Sequence, residues 1–120
     1  MSSKKELKQQ FKEMEFRKGV YQLRNIHNNK LFIGSSMDVD RAWNSLRVQL
    51  MSGNHANTAL QQDWNTYGEA GFAYEIVEIL KVPSDPQADI KAALKTLETL
   101  VMMELTPYAD KGYHVQKSQA

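Results

Sequence analysis

A chain of 120 residues, 42% of them hydrophobic and 24% charged, has the size and apolar content of one compact domain. Its lack of cysteine excludes disulfides, thiolate metal sites and cysteine nucleophiles, and a net charge of +1 is too small to announce a nucleic-acid binder by itself. The charged opening "MSSKKELKQQFKEMEFRK" has no apolar run for secretion or membrane insertion, so a soluble cytoplasmic protein without a membrane partner is expected.

Residues 6–14 have helix-forming composition with Leu7, Phe11 and Met14 on one stripe, which predicts a short N-terminal helix. Val20, Leu23 and Ile26 then mark a β-prone segment, "HNNK" supplies turn residues, and "LFIGSS" resumes the apolar run; a β-hairpin is predicted. Asp38 is placed to cap a helix in which Val39, Trp43, Leu46 and Leu50 form one buried face. Asn54 is placed to cap a second, with Ala56, Leu60, Trp64 and Tyr67 on one side and Gly68 closing it. "FAYEIVEIL" is rich in aromatic and β-branched residues without clean alternation, and predicts a strand beside the hairpin that is covered on both faces. A third helix starts near Gln87 or Asp89, turns Ile90, Leu94, Leu97 and Val101 inward, and stops at Pro107.

Three strands among this many helices make a small α+β layer structure, a mainly antiparallel sheet flanked by helices. The expected organisation is an N-terminal helical extension over 1–16, one domain over 17–115, and a flexible tail over 116–120. On the third helix Glu98 falls about 80° from the centre of the apolar stripe, which puts its carboxylate at the border of a buried face and within reach of a cleft.

Most familiar chemistries find no support. There is no glycine-rich phosphate loop, nucleophile elbow or dinucleotide fingerprint, so no organic cofactor is expected. His27, His55 and His114 are scattered without metal-ligand spacing, and Trp43 and Trp64 lie on helical stripes that suit packing better than base stacking. Gly19 and Gly34 are explained by close backbone packing, and Phe32 by the core.

In order and spacing the pieces resemble the GIY-YIG nucleases, which include phage homing endonucleases and the incision subunit of bacterial excision repair. Gly19-Val20-Tyr21 stands for the first motif and Phe32-Ile33-Gly34, followed by Ser35, for the second; the resemblance runs on through "NNK", "LQQDWNTYG", "FAYEIVEIL" and Glu98. It implies metal-dependent hydrolysis of phosphodiesters in DNA or another nucleic acid, with Glu98 as the ligand of Mg²⁺ or Mn²⁺ and Tyr21 beside the attacking water. The departures are as specific. Phe32 replaces the second-motif tyrosine, Ala42 occupies the place of the family arginine, Leu46 a further polar position, and His114 the place of an asparagine. Arg41, next to Ala42, is the substitute phosphate-binding residue. Two expectations follow: a nuclease of this type, or an impaired descendant that binds nucleic acid or a protein partner without cutting.

Overall fold

In a computed structural model, described here for residues 16–81 and 87–115, two strands are followed by two helices, a third strand and a last helix. The strands are β1 (Gly19–Asn25), β2 (Leu31–Ser36) and β3 (Phe72–Ile79), and the helices are α1 (Ala42–Met51), α2 (Thr58–Tyr67) and α3 (Ile90–Leu105). The predicted N-terminal helix and C-terminal tail lie outside the described residues. Among those residues no helix is long and apolar enough to cross a membrane.

The sheet runs in the order β2-β1-β3 with both pairings antiparallel. Asparagine side chains make the hairpin turn: Asn25 Oδ1 accepts from His27 N at 2.9 Å, Asn28 Oδ1 accepts from Lys30 N at 3.0 Å, and Asn29 takes φ 63°. Burial follows strand order. Central β1 places Val20, Leu23 and Asn25 out of contact with water. β3 forms an edge, with Ile76 and Ile79 exposed, so the expectation of a strand covered on both faces is corrected. An edge strand has a neighbour on one side only, and α3 packs on β1 and β2 instead of reaching across it.

Two cores sandwich the sheet. On one face Leu23, Leu46, Leu50, Leu60, Trp64 and Phe72 cluster. A run of rings links α1 and α2 to the sheet there: Trp43 meets Trp64 at 6.2 Å and Tyr74 at 5.6 Å, and Tyr74 meets Tyr21 at 5.2 Å. On the other face Val20 and Ile33 pack against Val101 of α3.

Helix ends obey local chemistry except where a tertiary contact overrides it. Asp89 caps α3, accepting from Ala92 N at 3.0 Å, and Thr106 leaves the helix in the left-handed region ahead of buried Pro107. Asp38 heads the turn into α1, its carboxylate accepting from Arg41 N at 3.2 Å. The cap of α2 is Asn57 and not Asn54: its Oδ1 accepts from Leu60 N at 3.1 Å while its Nδ2 donates to Tyr113 O at 2.8 Å. That second bond ties the helix start to the C-terminal segment, which the local sequence does not register.

Candidate active site

Tyr21 and Gly34 are direct cross-strand partners, and the contact explains both residues. A Cβ built on Gly34 would run into the Tyr21 hydroxyl and ring, so only glycine lets the phenol lie across β2. At the other end of β1, a Cβ on Gly19 would run into the Glu78 carbonyl of β3, beside the register shift between Val20 and Tyr21. Such a bulge re-aims the next side chain. The two motif glycines thus set the position of one tyrosine.

One residue beyond Gly34, Ser35 Oγ donates to Glu98 Oε2 at 2.7 Å, joining β2 to α3. Burial first, and then the Glu98 charge, raise the Tyr21 phenol above its ordinary range, so Tyr21 and Glu98 share one electrostatic neighbourhood. Tyr21 and Ser35 open onto a cleft of about 200 Å³ whose other walls are Ser36, Ala42, Ser45, Leu46, Gln49 and His55. Apart from His55 the walls carry hydroxyls, an amide and alkyl groups, with Glu98 reached through Ser35.

The fold is similar to the catalytic domain of the homing endonuclease I-TevI, with 29% identity and a TM-score of 0.67 over 83% of this chain and 99% of that one. A mutant of the same catalytic domain gives 26% identity and a TM-score of 0.69 over 87% of this chain and 98% of that one. The fold is that of the catalytic domain of a GIY-YIG homing endonuclease. A stretch of 67 residues, 56% of the chain, is 33% identical to intron-associated endonuclease 1 of Enterobacteria phage T4 and spans 27% of that protein's length. No family model matches.

Within this GIY-YIG-like fold the departures from the motif pattern sit at defined places. Ala42 lines the cleft. Arg41 stands in the turn ahead of α1 with a 76% exposed side chain, pairs with Asp38 at 3.8 Å and lies over the Phe16 ring, and it is not among the cleft walls. All four arginines of the chain face carboxylates of their own fold: Arg17 with Asp40, Arg24 with Glu75, Arg41 with Asp38 and Arg47 with Glu69. Phe32 is half-buried, with His114 stacked on it and His55 against it in a T-shaped contact, each at 5.1 Å. Spacing along the chain gave no sign of this pair, because 59 residues separate the two imidazoles and only the fold unites them. Burial lowers both histidines below their ordinary range, and the nearby Glu98 charge opposes the effect at His114.

The donor set decides which metal is compatible. Among the described residues no group of three or more His, Cys, Asp or Glu is arranged to hold an ion, which speaks against a zinc cage. A lone carboxylate with an adjacent hydroxyl fits Mg²⁺ or Mn²⁺, since Mg²⁺ in particular keeps most of its waters and takes one or two protein carboxylates.

Proposed function

We propose that this domain hydrolyses phosphodiesters in DNA with the help of a divalent cation, at a low intrinsic rate. The observation that carries the proposal is the Ser35–Glu98 hydrogen bond beside Tyr21 at the cleft. Glu98 would hold Mg²⁺ or Mn²⁺, which supplies charge neutralisation and acidifies a water when bound. Tyr21 orients and hydrogen-bonds the attacking water; its raised pKa makes it a proton donor and acceptor through its hydroxyl and not a standing phenolate. Ser35 holds the Glu98 carboxylate in place. Ser36, Ser45 and Gln49 offer the phosphate neutral donors where a guanidinium would have served. Loss of one charge-stabilising donor costs about 10²–10³ in rate, which sets the expectation of slow turnover.

A second reading, nucleic-acid binding without cleavage, is favoured by one observation: every arginine is already paired within the chain, and Arg41 is turned to Asp38. Incubating supercoiled plasmid with Mg²⁺ or Mn²⁺ and either the wild type or Glu98→Ala separates the two. Cleavage that disappears in Glu98→Ala supports the nuclease. Equal cleavage by both removes the assigned site. A folded wild type that binds DNA in a salt-dependent way and never cuts supports the second reading.

A further inference from the structure

The outer edge of β2 is covered by the segment 112–114, which runs beside it. Leu31 bridges Gly112 in parallel, and Tyr113 N donates to Leu31 O at 3.0 Å. The next ladder position is filled by a side chain: Ile33 N donates to His114 Nε2 at 2.8 Å. An imidazole nitrogen thus takes the place of a backbone carbonyl, and the same ring lies flat on Phe32, at an interplanar angle of 10°.

The segment is anchored on its far side. Tyr113, 4% exposed, donates its hydroxyl to Asp63 Oδ2 of α2 at 2.8 Å and accepts from Asn25 Nδ2 of β1 at 3.0 Å. Its carbonyl accepts from Asn57 Nδ2 at 2.8 Å. Gly112 is required for the close approach, because a Cβ there would run into Pro107.

We propose that 112–114 is a positioning strap for the cleft, with Tyr113 and Asp63 as its anchor and His114 as its acting end. His114 fixes the backbone of β2 at Ile33, two residues ahead of Ser35, and so fixes where Ser35 meets Glu98 and where Phe32 stands. His114, Tyr113 and Asp63 are positioning residues for the site. Their catalytic consequence rests on the nuclease reading above; their structural consequence does not.

The test uses the full chain and two readouts. Amide hydrogen exchange by NMR is compared among wild type, His114→Ala, Tyr113→Phe, Asp63→Leu and the conservative Asp63→Asn. Loss of one hydrogen bond should speed exchange at Ile33 roughly five- to tenfold in the first three variants, leave Leu23 in the central strand unchanged, and be largely avoided in Asp63→Asn. Where the protein cuts plasmid, the same three variants should lower kcat with KM for DNA unchanged. Unchanged exchange at Ile33, or exchange that rises equally at Leu23, overturns the strap, as does kcat unaltered in an enzyme that cuts. A wild type that cuts nothing sinks the nuclease reading and leaves the exchange comparison to decide the strap.

Discussion

Gly34→Ala tests whether the second-motif glycine exists for the sake of Tyr21. The added methyl would occupy space now taken by the phenol, so the ring must leave β2. Leaving forfeits its packing on Tyr74, centroid to centroid 5.2 Å, about 0.5–1.5 kcal/mol for an aromatic pair. It also exposes part of a half-buried tyrosine, about 1.5 kcal/mol more. The expected cost is therefore about 2–3 kcal/mol, a fall in Tm of about 10 °C or more for a domain of this size. In a Tyr21→Ala background the atoms nearest to that methyl are gone, and the same substitution should be neutral, or stabilising by about 0.4–1 kcal/mol through the unfolded chain. Urea unfolding of the four proteins of this cycle, followed by circular dichroism, gives the coupling. If Gly34→Ala costs the same in both backgrounds, the tyrosine is not the reason for the glycine.

Asn57→Ala removes both the cap of α2 and the bond to Tyr113, and should cost about 1–2 kcal/mol by urea unfolding; an effect within experimental error would deny the double role. Because His55 and His114 are lowered below the ordinary 6.5 in the folded state, the unfolded chain takes up protons first as the pH falls. Stability should accordingly decline on acidification through about pH 6.5, and the urea midpoint should fall less steeply in a His55→Gln protein. Phe32→Tyr restores a phenol between the two imidazoles and should raise plasmid cleavage about tenfold or more, with no gain in a Glu98→Ala background.

Sequence pattern reached the elements well because each has a strong local cause. Asp89, Gly68 and Pro107 act through the backbone next to them, and the stripe of Leu94 and Val101 needs only helical periodicity. It missed where the cause lies far along the chain. Asn57, the cap in place of Asn54, also bonds distant Tyr113, and β3 stays partly exposed because it is an edge strand and α3 packs on β1 and β2. The site divides in the same way. Tyr21 and Gly34 are legible as a pair of motifs, whereas the imidazoles around Phe32 come from two loops and carry no local signature. Adjacent positions on a helix point about 100° apart, and Arg41, next to Ala42, accordingly faces elsewhere, toward Asp38 and Phe16.

Packing alone accounts for part of the motif, and that part is uninformative about chemistry. Gly19 and Gly34 are required by the Glu78 carbonyl and the Tyr21 ring whether or not the protein cuts anything. The Ser35–Glu98 pair is different in kind. Helix α3 already docks through Leu94, Leu97 and Val101, so it gains little by turning a carboxylate toward β2. Placing that charge near a partly buried phenol opposes ionisation of the phenol and calls for a hydroxyl to satisfy an oxygen. An apolar residue at 98 would serve the fold at least as well. Glu98→Leu should therefore leave stability unchanged or raise it by about 1 kcal/mol while removing any metal-dependent cleavage. A Glu98→Leu protein that unfolds more readily than wild type would mean the carboxylate is there to hold β2 to α3, and the case for chemistry at this cleft would lose its main support.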